Sequence, residues 1–135
     1  MKIFITATFR KTKNKFEIER LCSVVREAGF EDFCFIRDIE HYKKIFSDPR
    51  QLMLRTTEEI KNSHSLLFDA TKKSTGRAIE LGIAYSNHKK IIILVKNSSK
   101  IKDSVRGVAD EIITYAKIED IRDTLRRIYK DWNTK

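Results

Sequence analysis

Apolar positions in this chain fall into two patterns: short unbroken runs, and longer stretches in which they recur at three- and four-residue intervals. Lys2–Ala7 is a run of the first kind, rich in β-branched residues, and predicts a strand buried on both faces. Phe16, Ile18, Leu21, Val25 and Ala28 follow at helical spacing, and Gly29 then supplies a residue that tolerates a left-handed helix end. Asp32–Ile36 predicts a second strand. From Arg37 the pattern weakens into a polar, partly helical stretch to Phe46. Asp48 and Pro49 then read as the cap and first turn of a helix running from about Arg50. Ser65–Asp69 predicts a third strand, Gly76–Asn87 a helix, Ile91–Val95 a central parallel strand and Glu111–Tyr115 a fifth strand, with Arg106-Gly107 as a turn leading onto it. Ile118, Ile121, Leu125, Ile128 and Trp132 step along a closing amphipathic helix.

Strand and helix alternate throughout, and each connection is long enough to hold a helix. This predicts an α/β architecture, a doubly wound flavodoxin/Rossmann-like domain with a parallel sheet of about five strands. With 135 residues the chain suits one core, so a single domain over 1–135 is expected. Four Gly and one Pro leave no room for a long flexible or low-complexity segment. No apolar run approaches the roughly 20 residues needed to cross a bilayer, and the first one stops at Arg10, too soon for a secretory leader; a cytoplasmic protein without membrane contact is the expectation. Cys22 and Cys34 sit inside apolar patterns and read as reduced core thiols. The three histidines, His41, His64 and His88, share no ligand spacing, so no metal and no cofactor is expected.

Lys plus Arg is 28 and Asp plus Glu is 19, a net charge of +9, which favours anionic partners. The cations are scattered as local pairs such as Lys43-Lys44 and Lys72-Lys73 rather than gathered in one block. This favours a small anionic ligand over a nucleic acid polymer. In open parallel sheets ligands bind beyond the carboxyl ends of the strands, at the point where strand order reverses, so the residues after strands one, three and four carry the interest.

After strand one, Thr6-Ala7-Thr8-Phe9-Arg10-Lys11 combines hydroxyls, backbone N–H groups and two cations; it suits either a phosphate cradle or a solvated turn. Neither a Walker sequence nor a GxGxxG fingerprint is present. After strand three, Ser74 or Thr75 can cap a helix, Gly76 leaves space for a ligand near the backbone, and Glu80 lies one turn further in. From spacing alone Glu80 is either a shielded carboxylate fit for nucleophilic or acid–base work, or a first-turn residue that favours the helix dipole or pairs with Arg77. Asp69, at the end of strand three, is either a catalytic acid or a residue that hydrogen-bonds the following loop.

Thr75-Gly76-x-x-x-Glu80-Leu81-Gly82-x-Ala84, placed after an apolar strand that ends in Asp69-Ala70-Thr71 and before Lys89-Lys90-Ile-Ile-Ile-Leu-Val95, resembles the nucleoside 2-deoxyribosyltransferase family. The closest likeness is to its branch of 2'-deoxynucleoside 5'-monophosphate N-glycosidases, which Ala7-Thr8-Phe9-Arg10 and Ser104-Val105-Arg106-Gly107-Val108-Ala109-Asp110 also resemble. The resemblance implies cleavage of the base–sugar bond through a covalent glycosyl-Glu80 intermediate, resolved by water or by a second base. It implies a 5'-phosphate site made by Arg10, Ser74 and the backbone N–H groups between, with Thr6, Ala7, Thr8, Phe9 and Gly76 beside it. It further implies a homodimer in which Ser104 and Arg106 approach the partner's site. Ser74 stands where the nucleoside transferases carry an Asp, and a hydroxyl there suits a charged phosphate.

One departure stands out. The family's second carboxylate lies about 24 residues ahead of the nucleophile, and the residue at that place is Thr56, with Glu58 and Glu59 as the nearest acids and Asp69 as the other candidate. Two other readings follow from the same residues: a non-catalytic nucleotide-binding or sensing domain, and an NAD-type glycohydrolase.

Overall fold

A computed structural model gives the fold and describes residues 1–11, 13–97 and 99–134. The strands β1 (Lys2–Ile5), β2 (Glu31–Cys34), β3 (Ser65–Asp69), β4 (Lys90–Lys96) and β5 (Glu111–Tyr115) form one sheet in the order β2-β1-β3-β4-β5, every pair parallel. The helices are α1 (Lys15–Glu27), α2 (Phe35–Asp38), α3 (Pro49–Lys61), α4 (Thr75–Ser86), α5 (Asp103–Val108) and α6 (Ile121–Asn133), the last preceded by a 3₁₀ turn over Ile118–Asp120. The chain steps from β1 to β2 on one side and then to β3 on the other. The strand order therefore reverses between β1 and β3, where a doubly wound sheet opens its ligand crevice.

Alternate strand residues feed two core layers. Ile3, Ile5, Leu67, Ile92 and Leu94 pack with α1 and α6, while Phe4, Leu66, Phe68, Ile91 and Ile93 pack with Ile60 of α3 and Leu81 and Ala84 of α4. Ile91–Val95 is buried along its whole length, as a strand covered on both faces must be. Gly29 has φ +117°, and a Cβ there would lie 2.9 Å from the Tyr129 ring, so both the backbone and the packing of α6 require glycine. Cys22 and Cys34 are free and buried in the same layer. Among the described residues no helix is long and apolar enough to cross a membrane.

The doubly wound parallel sheet agrees with the sequence expectation, and the differences lie at element ends. Strand one stops at Ile5 rather than Ala7, although the Thr6 N–H still bonds the Leu67 carbonyl at 3.0 Å. Strand two ends at Cys34 rather than Ile36, because Asp38 turns its carboxylate back onto the Cys34 N–H at 3.0 Å and Arg37 bridges Asp32 and Asp38 at 2.9 and 2.8 Å. These bonds wind Phe35–Asp38 into a helical turn. The polar stretch beyond α2 is not helical: His41 and Tyr42 adopt φ values of 50° and 59°, a pair of left-handed residues without glycine. Pro49 opens α3 under an Asp48 carboxylate that accepts from the Arg50 N–H at 2.9 Å. The segment read as a turn at Arg106-Gly107 lies inside α5, whose Val105 and Val108 pack on the second core layer.

Candidate active site

Two clefts open at the carboxyl edge of the sheet, one on each side of the β1–α1 loop. The first, of about 550 Å³, lies toward α2, α3 and the start of α4, and its lining includes Thr8, Phe9, Thr56, Ser74, Gly76 and Glu80. The second, of about 450 Å³, lies toward the ends of β3 and β5, and its lining includes Thr6, Arg10, Asp69, Lys73, Lys96 and Tyr115. Arg77 forms part of both walls.

Glu80 is reached by folding the strand-end loop of β3 back onto the crevice. Ser74 has extended backbone and caps α4, its hydroxyl accepting from the Arg77 N–H at 3.4 Å. A further bond joins the two loops of the switch point, the Thr8 hydroxyl donating to Ser74 Oγ at 3.0 Å. From this anchored start, Glu80 leans back toward the helix N-terminus and into the first cleft. The residue is half-buried overall, yet its Oε1 is shut off from solvent and meets no hydrogen-bond donor among the described residues. Burial pushes the carboxyl up from 4.5 to about 8; Arg77 opposes this, and Cys34 and Glu40 add to it. Arg77 does not pair with Glu80. Its buried guanidinium donates to the carbonyls of Asp69 and of Lys72, the latter at 3.2 Å, and lies 5.0 Å over the Phe68 ring. It secures the β3–α4 loop and leaves Glu80 Oε1 without a partner among the described residues.

The residues expected from the sequence divide between the clefts. Ala7, Thr8, Phe9, Ser74, Gly76 and Glu80 share the first. Thr6 is buried, and both its N–H and its hydroxyl donate to the Leu67 carbonyl, at 3.0 and 3.2 Å, so its donors are spent on the sheet. Arg10 is exposed and lines the second cleft; its N–H donates to Asn14 Oδ1 at 2.7 Å, and Asn14 in turn donates to the Thr8 carbonyl at 2.6 Å, which fixes the loop. Asp69 does not share the cleft of Glu80. Its carboxylate accepts from the Tyr115 hydroxyl and, at 2.8 Å, from the Thr71 N–H, which is the loop-bonding alternative for a strand-end Asp. Ser104 and Arg106 are exposed on α5 and line neither cleft.

Thr56 lines the first cleft, but its hydroxyl is donated to the Leu52 carbonyl at 2.8 Å within α3. Glu59 faces away and pairs with Lys2 and Arg55, and Glu58 lines neither cleft. The residues that sequence reasoning missed come from the turn after α2: Glu40, Tyr42, Lys43 and Lys44 all line the first cleft. Tyr42 packs edge-on to Phe9 with ring centroids 5.0 Å apart, and its hydroxyl donates to Glu19 of α1. Two successive left-handed non-glycine residues cost about 1–3 kcal/mol each, and these contacts hold them in place.

The geometry can be compared with known proteins. A CMP N-glycosidase from Clostridium botulinum, BcmB, superposes with a TM-score of 0.71 at 26% identity, covering 96% of this chain and 99% of that one. A 2-deoxyribosyltransferase from Bacillus psychrosaccharolyticus gives 0.69 at 19% identity over 93% of this chain and 96% of the other. The fold is that of the nucleoside 2-deoxyribosyltransferase-like proteins. A conserved protein from Enterococcus faecalis superposes with a TM-score of 0.71 at 13% identity, covering 95% of this chain and 98% of that one. Neither a family model nor a curated protein matches the chain by sequence.

Proposed function

We propose that the protein is an N-glycosidase of nucleoside 5'-monophosphates, with 2'-deoxynucleotides as substrates and Glu80 as the nucleophile. The observation that carries this reading is Glu80 Oε1, shut off from solvent and without a hydrogen-bond donor among the described residues, in a cleft on the β1/β3 switch point. A carboxylate held in this way is idle in the empty pocket and gains most from a sugar whose anomeric carbon develops positive charge. Glu80 attacks that carbon as the base departs, and water then breaks the resulting ester, giving free base and sugar phosphate. The Ser74 hydroxyl, which accepts from Thr8, and the unpaired N–H groups of the first turn of α4 bind the 5'-phosphate, supported by Lys11, Lys43 and Lys44 at the cleft rim. Phe9 and Tyr42 offer an aromatic wall for the base. The enzyme acts in the cytoplasm as a homodimer, with Ser104 and Arg106 on the partner-facing surface.

The neighbour named as a CMP N-glycosidase, at 26% identity, favours a second reading in which the sugar is ribose. Both readings are tested by incubating the protein with dCMP, dGMP, dUMP and CMP and following release of free base by chromatography. Base release from deoxynucleotides that disappears in Glu80→Ala supports the first reading. Release from CMP alone supports the second, and tight binding of all four without turnover leaves a nucleotide-binding domain.

A further inference from the structure

The cleft of Glu80 contains a second carboxylate in place of the acid lacking at Thr56. Of the residues that line it, two carry carboxyl groups, Glu40 and Glu80. We propose that Glu40 is the general acid–base of the reaction, giving the proton that the departing base takes up; this rests on the glycosidase reading above.

The placement comes from backbone geometry rather than from helix or strand periodicity. The Glu40 N–H closes the turn after α2 by bonding the Phe35 carbonyl at 3.1 Å, and its own carbonyl accepts from the Lys43 N–H at 2.9 Å. His41 and Tyr42 then reverse the chain through left-handed backbone, with the Tyr42 N–H bonded to the Ile36 carbonyl at 2.8 Å. Tyr42 is further tied to Glu19 and packed on Phe9, so the turn that carries Glu40 is fixed to both α1 and the β1 loop. Glu40 is half-buried, and its carboxylate forms no ion pair among the described residues. Burial raises its proton affinity, and its charge raises that of Glu80 in turn. The other titratable side chains of the cleft suit other tasks. Lys11, Lys43 and Lys44 are exposed cations at the rim, Arg77 is bound to loop carbonyls, Tyr42 is engaged by Glu19, and Cys34 is buried in the core.

Burial disfavours ionisation of both carboxyl groups, most strongly at Glu80, and the charge of Glu40 adds to this there. The reaction needs one proton shared by the two groups. A docked sugar presents its anomeric carbon to Glu80, favours the ionised form there and leaves the proton on Glu40. In the first step the C1'–O bond to Glu80 forms and the C1'–N bond breaks, its electron pair going to the base, which receives the Glu40 proton. In the second step Glu40, now a carboxylate, takes a proton from water as the water oxygen bonds C1' and the ester electrons return to Glu80. Both groups end as they began.

The test separates leaving groups that need a proton from those that do not. Base release is measured for two matched pairs, dGMP with its N7-methyl derivative and dUMP with 5-nitro-dUMP, using the wild type, Glu40→Gln and Glu80→Gln. In Glu40→Gln, release of the unmodified base falls by about 10²-fold or more while release of the activated base changes by less than about fivefold. In Glu80→Gln both fall together. The ratio within a pair does not depend on how much of a variant is folded. Equal losses for both members of a pair in Glu40→Gln, or no loss for either, overturn the assignment of Glu40 while leaving Glu80 in place. A wild type inactive on all four compounds and on CMP overturns the glycosidase reading, and the role of Glu40 with it.

Discussion

Thr8, in the loop after β1, donates its hydroxyl to Ser74 Oγ at 3.0 Å, so the β1 loop and the start of α4 are joined by one side-chain bond. The same Ser74 oxygen accepts from the Arg77 N–H as the α4 cap. Ser74→Ala therefore costs about 1 kcal/mol of stability through the lost cap, read as a fall in Tm. Ser74→Asp keeps the cap and adds a charge that repels phosphate. It lowers kcat/KM for a monophosphate about tenfold or more, while any cleavage of the matching nucleoside is unchanged or improved.

Gly76 lies in the first turn of α4, and a Cβ there would meet nothing within 4 Å. Nothing in the protein itself requires glycine at this place. Gly76→Ala is expected to raise stability by about 0.5–1 kcal/mol, since a helical glycine is entropically costly. If the phosphate approaches the helix backbone here, the same variant binds nucleotide more weakly, so Tm and KM rise together. A variant with higher Tm and unchanged KM would remove the phosphate from this turn.

Glu80 has a folded-state proton affinity above its ordinary value, from 4.5 to about 8. The folded chain therefore binds more protons than the unfolded chain between these values, and stability falls as pH rises through this window. Its contribution is complete below about pH 4.5 and gone above about 8. Glu80→Gln, neutral at every pH, should gain stability over the wild type as pH increases from 5 to 8, by a difference on the order of a few kcal/mol. Parallel melting curves at pH 5 and pH 8 measure it. A constant Tm difference would show that the carboxylate is solvated or paired.

Asp69 accepts from Tyr115 and from the Thr71 N–H and lies in the other cleft. Tyr115→Phe leaves a carboxylate oxygen without its donor and costs about 1–3 kcal/mol. If Asp69 serves the loop rather than the chemistry, this variant and Asp69→Asn keep kcat/KM for nucleotide within about twofold of the wild type, after correction for folded protein. A loss of 10²-fold in both would return Asp69 to the reaction.

The sheet was legible because its strands are apolar runs of nearly unbroken kind, of which Ile91–Val95 is the purest, and a run covered on both faces leaves little else to be. Ser74, Gly76 and Glu80 were singled out by a capped helix start together with the family resemblance, since spacing alone left Glu80 open between a shielded carboxylate and a partner of the helix dipole or Arg77. Glu40 was not. It lies in a stretch without apolar period, and its position depends on left-handed backbone at His41 and Tyr42, which no glycine announces. The fate of Arg77 was equally hidden. Sequence proximity suggested a bond to Glu80, whereas the side chain turns to the carbonyls of Asp69 and Lys72, a choice set by the path of the loop. The segment Asp103–Val108 has no apolar repeat long enough to announce a helix.

β1 pairs with β2 on one side and with β3 on the other, in register from Ile3 to Asp32 and from Ile3 to Ser65. Thr8, Glu40 and Glu80 thus belong to three separate stretches of chain that meet only around β1. During synthesis on the ribosome, β1 must wait for most of its neighbours to emerge before the pocket can close. A half-made polypeptide therefore carries no formed cleft, and the Glu80 carboxylate is shielded only once the surroundings that restrain it are complete.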